Sequence, residues 1–349
     1  MIKSLLSEPS VAFLFNHSVA LRYFTGEKID EGYVVLTDCV TAFVDLRYFY
    51  AAKQLLEKKG VECLPLYSIS DVKNYLINKG VTKLYIDYDK TTLSEYEKYK
   101  EFGVEIYNGT KDFNASREIK TEFELQSISK ACEITQKAFY SAVERVKEGM
   151  TERELADLID TGCVKLGAEG AAFETIVAFG ENSAVPHHQT SNRKLTLNTP
   201  ILIDTGCVVN GYRSDLTRTF YFGTPSEKFV KAYDQVLNAN LIAIKSIKEG
   251  CLTSDADAYA RNYLESYGVA DKFTHSLGHG VGLEVHESPT LSPKATPKPL
   301  KEGTVFTIEP GLYYDGEFGI RIEDTVVLQR NGVKRLFTDE KNLLIIKQK

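Results

Sequence analysis

Four carboxylates in two strand–turn–strand segments, and three histidines in one glycine-rich stretch, stand out as groups able to do chemistry together. The first segment, ILIDTGCVVNGYRSDLTRTF, carries Asp204 and Asp215. Its Asn210-Gly211 dipeptide is a strong signal for a two-residue hairpin loop. With that loop, Asp204 lies opposite Thr217 and Gly206 lies opposite Asp215. Asp204 and Gly206 share a strand face. The two carboxylates are then diagonal neighbours, about 7–8 Å apart at the backbone. Such a pair can converge on ions about 3.5–4 Å apart. The second segment, TVFTIEPGLYYDGEFGIRIEDTVVL, carries Glu309 and Glu323. A two-residue Asp315-Gly316 loop would set Glu309 opposite Ile322 and turn Glu323 away. One extra residue, in a wider loop or a bulge near Gly319, restores the facing pair, and one is expected here.

These acids sit in apolar runs: Ile201, Leu202 and Ile203 precede Asp204, and Val305, Phe306 and Ile308 precede Glu309. Buried carboxylates need cations or donors. Arg213 and Arg321 share strand faces with Asp215 and Glu323, but two cations cannot balance four acids. Metal is the simplest answer. Five of the six histidines fall in NSAVPHHQT (His187, His188) and HSLGHGVGLEVHE (His275, His279, His286). Gly278, Gly280 and Gly282 interleave the latter three and allow close backbone approach. His279 is the best single nitrogen ligand.

The elements that must position these groups follow from pattern. Residues 1–115 alternate short apolar runs with helical stretches, giving an α/β domain. Strands are expected at Val11–Phe15, Tyr33–Leu36, Ala42–Asp45, Val61–Leu66, Lys83–Asp87 and Val104–Tyr107. Helices are expected at Tyr48–Lys59 and Asp71–Lys79, each stopped by a glycine. This domain holds one histidine, His17, with a structural or rim role. A boundary near Lys111–Ser116 separates it from a second domain, residues 116–349. There Thr121–Glu124 and Thr151–Glu154 are capping boxes that open two helices, the first running to Gly149. The segment around Gly149 has an echo around Gly250. Each copy closes one helix and opens another, and each is followed roughly 60 to 65 residues later by one of the two hairpins. The second domain therefore reads as two similar halves, each of two helices plus antiparallel strands.

A net charge of −6 and dispersed Lys and Arg argue against nucleic acid or an anionic membrane as partner. No apolar run reaches the ~18 residues of a membrane span, and Glu8 and Pro9 interrupt any apolar signal region. The six cysteines are scattered, with no C-x-x-C pair; free thiols in a reducing cytoplasm are expected.

With these residues in view, NSAVPH, IDTGCVVNGYRSDLTRTF, HSLGHGVGLEVHESP, TIEPGLY and RIEDTVVL resemble the motifs of the pita-bread metallopeptidases, in order from about Lys120 to the end. The aminopeptidase P and prolidase subgroup is the most similar. The resemblance implies a ribonuclease-H-like N-terminal domain, a pita-bread catalytic domain with a pseudo-twofold repeat, and a homodimer. It implies two divalent ions held by residues matching Asp204, Asp215, His279, Glu309 and Glu323. That hard ligand set favours Mn²⁺, with Co²⁺, Zn²⁺ and Fe²⁺ as alternatives. It further implies cleavage of the peptide bond before proline. His187 and His286 would bind the carbonyls around the scissile bond, His275 would line the proline side, and Glu309 would also shuttle the proton. Arg321 would orient Glu323 or the substrate. His188 has no matching role and Tyr212 is a candidate rim residue. Some short microbial prolidases place an Arg after the Pro of H-E-x-P; here His286-Glu287-Ser288-Pro289 is followed by Thr290. On that ground the expectation is Xaa-Pro aminopeptidase, with Xaa-Pro dipeptidase as the alternative and a non-catalytic binding module a distant third.

Overall fold

The computed structural model describes residue 2, residues 6–8 and residues 10–347. Pro9, invoked above as an interruption, lies outside the described residues. The chain divides into two compact units, residues 1–117 and 118–349.

In the first unit, six strands form one sheet: β1 (Val11–Phe15), β2 (Gly32–Leu36), β3 (Val40–Asp45), β4 (Glu62–Leu66), β5 (Lys83–Ile86) and β6 (Glu105–Asn108), in the order β4-β3-β2-β1-β5-β6. β2 runs antiparallel to both its neighbours, and the other pairs are parallel. Along β1, Phe13 and Phe15 enter one core cluster while Ala12 and Leu14 enter another. A strand buried on both faces is what helices on both sides of a sheet require. Those helices are α1 (Ser18–Thr25), α2 (Leu46–Glu57), α3 (Ile69–Asn78), α4 (Leu93–Lys100) and α5 (Thr110–Glu118). The stretch read as the boundary, Lys111–Ser116, is helical because Phe113 is buried among the aromatic rings of this unit's core. His17 is structural: Nδ1 accepts from Ala20 N to cap α1, and Nε2 lies 3.4 Å from Asp87.

The second unit opens with α6 (Glu122–Val143) and α7 (Glu152–Lys165). Both start with complete capping boxes, Thr121 with Glu124 and Thr151 with Glu154. The first helix stops six residues before Gly149, the expected end. Strands β7 (Gly170–Ala171), β8 (Ile176–Phe179), β9 (Thr199–Thr205), β10 (Cys207–Val209), β11 (Tyr212–Arg213) and β12 (Leu216–Phe222) follow. The second half repeats the plan with α8 (Glu227–Ser246) and α9 (Thr253–Glu265), then β13 (Gly278–Gly280), β14 (Glu287–Leu291), β15 (Val305–Ile308), β16 (Gly311–Tyr314), β17 (Phe318–Arg321), β18 (Asp324–Gln329), β19 (Gly332–Arg335) and β20 (Ile345–Ile346). Two antiparallel hairpins, β9–β12 and β15–β18, thus occupy equivalent places behind two helix pairs. Their outer strands give sheets ordered β20-β12-β9-β8 and β14-β13-β15-β18-β19.

Both registers are as the sequence requires. Asp204 pairs with Thr217 across β9 and β12. Val209 pairs with Tyr212, which leaves the two-residue Asn210-Gly211 loop. In the second hairpin Tyr314 pairs with Phe318 and Ile308 with Asp324. The loop is therefore Asp315-Gly316-Glu317, one residue wider than the minimum, and Gly319 pairs regularly with Tyr313. The extra residue lies in the loop, and no bulge is needed. Glu309 and Glu323 then face one another.

Candidate metal centre

The two hairpins are joined where the acids lie. Glu323 N donates to Thr217 O (3.1 Å), Arg321 N to Thr219 Oγ1 (3.1 Å) and Thr325 Oγ1 to Asp215 O (2.8 Å). Close approach depends on missing side chains. A Cβ on Gly206 would lie 2.0 Å from Ser214 O, and one on Gly278 would lie 2.0 Å from Thr307 O. At both places only glycine lets the chain beside the acids and His279 pack on its neighbour.

Side-chain ligand atoms of Asp215, His279 and Glu323 fall within 4.8 Å of one another. His279 Nε2 is 3.7 Å from Asp215 and 3.2 Å from Glu309 Oε1. Thr307 Oγ1 accepts from His279 N and donates to Glu309 Oε1, both at 3.1 Å, which fixes those two residues together. Asp204 Oδ2 meets Arg321 Nη2 at 2.7 Å. Its other oxygen, Oδ1, is buried with no hydrogen-bond partner. A buried carboxylate oxygen without a donor is costly.

The electrostatics state the same need. Burial first, then the charges of Glu323, Asp204 and Glu309, push Asp215 well above the carboxylate range. Burial, Glu309 and Asp204 do the same to Glu323. Asp204 is also raised by burial, against the pull of Arg321. Glu309 goes the other way: the hydrogen bond and charge of His279 outweigh burial and bring it down to about 2. His279 is raised in turn, because Glu309 outweighs the effect of its burial. Four acids thus share one arginine and one histidine, too little positive charge, and converge with one orphaned oxygen. Divalent cations fit this donor set of four carboxylates and one imidazole.

Three further histidines lie around these groups. His286 lies ring to ring with His279, centroids 4.0 Å apart, and is exposed. Burial of its inner part and the charge of His279 lower its pKa. His187 is exposed and lies within electrostatic range of His275 and His286. His275 Nε2 meets Tyr313 Oη at 2.8 Å, and burial keeps its pKa low. Tyr313 Oη in turn accepts from Arg321 Nη1 at 2.9 Å. Arg321 also donates to Thr217 Oγ1 (3.0 Å), whose hydroxyl donates to Glu323 Oε2 (2.6 Å). Arg321 therefore reaches Asp204 directly and Glu323 through Thr217.

Tyr313, Thr217 and Thr307 were not singled out from the sequence. Tyr313 left one trace: it shares a strand face with Glu309 and pairs with Gly319, so its ring can lie across the glycine toward Arg321. Arg213 donates to the carbonyls of Gly211 and Leu283. One expectation is corrected. Tyr212 is no rim residue; it is buried and donates to Glu124 Oε1 at 3.0 Å. His188 pairs with the buried Glu152 at 2.9 Å, a structural contact. All six cysteines are free, and no helix among the described residues is long and apolar enough to cross a membrane.

Comparison with known proteins gives this arrangement a family. Residues 126–330 match the model of metallopeptidase family M24. The chain is 38% identical to the Xaa-Pro dipeptidase of Pyrococcus furiosus over 93% of both chains. It superposes on an Xaa-Pro dipeptidase from Bacillus anthracis with a TM-score of 0.93 at 31% identity, covering 99% of this chain and 98% of the other. An X-Pro aminopeptidase from Thermotoga maritima gives 0.89 at 32% identity, covering 96% and 97%. The second unit has the pita-bread fold and follows an α/β N-terminal domain in sequence, and the family implies divalent metal ions and peptide substrates. A chain matched over nearly its whole length by such relatives, with an acid-rich centre built from its two repeated hairpins, belongs to metallopeptidase family M24 and is a metallo-exopeptidase.

Proposed function

We propose that this chain is an Xaa-Pro dipeptidase, with two divalent ions, Mn²⁺ by preference, held by Asp204, Asp215, His279, Glu309 and Glu323. The observation that carries the reading is the likeness to the Pyrococcus furiosus Xaa-Pro dipeptidase, 38% identity over 93% of each chain. It outweighs the expectation of an aminopeptidase, which rested on Thr290 alone. A cation also contacts Ser288, two residues before Thr290. Lys298 Nζ donates to Ser288 Oγ at 2.7 Å and to Glu118 at 2.6 Å, beside the strand that pairs Thr290 with His279.

Bound divalent ions supply Lewis-acid polarisation of the scissile carbonyl and a lowered pKa for water. The chain's own side chains do the rest. Glu309, kept ionised by His279, accepts the proton of the attacking water at a carboxylate oxygen. It returns that proton to the proline nitrogen as the C–N bond breaks, since this tertiary amide nitrogen must be protonated to leave. His286 and His187 donate hydrogen bonds to the oxygens that gain charge. His275, neutral and steadied by Tyr313, lines the proline side. Arg321 fixes Asp204 directly and Glu323 through Thr217.

Measured kcat/KM for Ala-Pro against Ala-Pro-Ala tests the assignment. A charged partner for the free carboxylate is worth about tenfold or more, so the dipeptide should be preferred by at least that factor. A preference for the tripeptide would make the enzyme an Xaa-Pro aminopeptidase.

A further inference from the structure

The ladder of the second hairpin opens where two of the proposed ligands arise. Ile308 pairs with Asp324 and Gly311 with Arg321. Glu309, Pro310, Ile322 and Glu323 lie between, outside the strands. Within the gap Ile322 N still donates to Pro310 O at 3.3 Å, while Glu309 N donates outward to Leu277 O at 2.8 Å and Glu323 N to Thr217 O at 3.1 Å. Pro310 has no N–H to return, so the carbonyl of Ile322 needs a donor from elsewhere, and it and the carbonyl of Ile308 directly precede the two glutamates.

One side chain serves both. Asn240 Nδ2, on α8, donates to Ile308 O at 2.9 Å and to Ile322 O at 3.2 Å. Asn240 is wholly buried. Its Oδ1 accepts from the ammonium of Lys341, which also donates to Asp324 Oδ2 at 2.7 Å. Lys341 is itself buried and comes from the segment that leads into β20. An ammonium only donates. It therefore dictates that the amide oxygen faces it, and the two N–H groups must face the two carbonyls. The first hairpin has a counterpart. Ser214 Oγ accepts from Cys207 N at 3.0 Å and shares a hydrogen bond with Thr135 Oγ1 at 2.7 Å. Thr135 lies on α6, which holds the place in the first half that α8 holds in the second.

We propose that Asn240 is a positioning residue for Glu309 and Glu323, set in its orientation by Lys341. Metal affinity then depends on a side chain that touches neither ion nor substrate. This inference rests on the ligand assignment above. A purely packing role for Asn240 makes a different prediction: loss of stability with unchanged metal affinity.

The test is Mn²⁺ binding to metal-depleted full-length protein, by equilibrium dialysis, with far-ultraviolet circular dichroism as the check on folding. Asn240→Asp keeps the volume and an acceptor for Lys341 but loses both donors. It should bind Mn²⁺ roughly 10–100-fold more weakly, the usual cost of losing an outer partner of a metal ligand. Lys341→Met should weaken binding roughly tenfold. The double variant should bind no more weakly than Asn240→Asp alone, because Lys341 acts through the amide. A folded Asn240→Asp protein with parental affinity, or losses that add in the double variant, overturns the proposal. Should Asn240→Asp fail to fold, Lys341→Met decides, and unchanged affinity there overturns it. A parent that binds no Mn²⁺ removes the ligand assignment as well. A parent that binds two ions beside an unaffected Asn240→Asp variant removes this inference alone.

Discussion

Arg321 Nη2 lies 2.7 Å from Oδ2 of Asp204, a buried charge pair that spans the two hairpins of the second unit. The same guanidinium reaches Thr217 Oγ1 at 3.0 Å and Tyr313 Oη at 2.9 Å. Three contacts in different directions need a planar fork, which lysine lacks. Arg321→Lys should therefore keep the charge yet lose roughly 10–100-fold in kcat/KM. Steady-state kinetics on Ala-Pro check this, and parental activity would show that charge alone suffices.

His279 and His286 stack at 4.0 Å but should separate by role. His279 faces Asp215 and Glu309, so His279→Ala should lower metal occupancy. His286 is exposed and its pKa is lowered, so it is a neutral donor near neutral pH. His286→Ala should keep the metal and lose roughly 10²–10³-fold in turnover, as loss of one transition-state donor does. Elemental analysis of both variants beside their kcat values makes the comparison. Equal metal loss would erase the distinction.

Metal binding should release protons. Burial and neighbouring carboxylates raise Asp215 and Glu323 well above their ordinary values, and Glu309 raises His279. Groups with raised pKa values hold protons that a cation must displace. The sign follows: affinity rises with pH, and falls as acid refills these sites. Titration calorimetry between about pH 6 and pH 8, in buffers of different ionisation heat, reads the protons released. A binding constant independent of pH would contradict the electrostatic picture.

Much of this was legible in the chain itself, for reasons that differ by residue. Asn210-Gly211 fixed the register of Asp204 and Asp215, because a two-residue loop admits one pairing. Glu309 and Glu323 needed Glu317 counted into the loop, and their own parity demanded it. Capping boxes at Thr121 and Thr151 marked two helix starts. The support around the four acids and His279 was not legible. Tyr313, Thr217, Thr307 and Asn240 act through hydrogen bonds to groups that are distant in sequence or set by a local break in the ladder. Such bonds carry no period and no spacing rule. Thr290 alone left the choice between aminopeptidase and dipeptidase open, because where Lys298 reaches from its loop follows no pattern.

The most direct test follows proline release from Ala-Pro while metal-depleted protein is titrated with Mn²⁺. The account predicts no release in chelator, and activity that climbs to its plateau at about two ions per chain. Hydrolysis in the metal-depleted protein, or none with two ions bound, would contradict it.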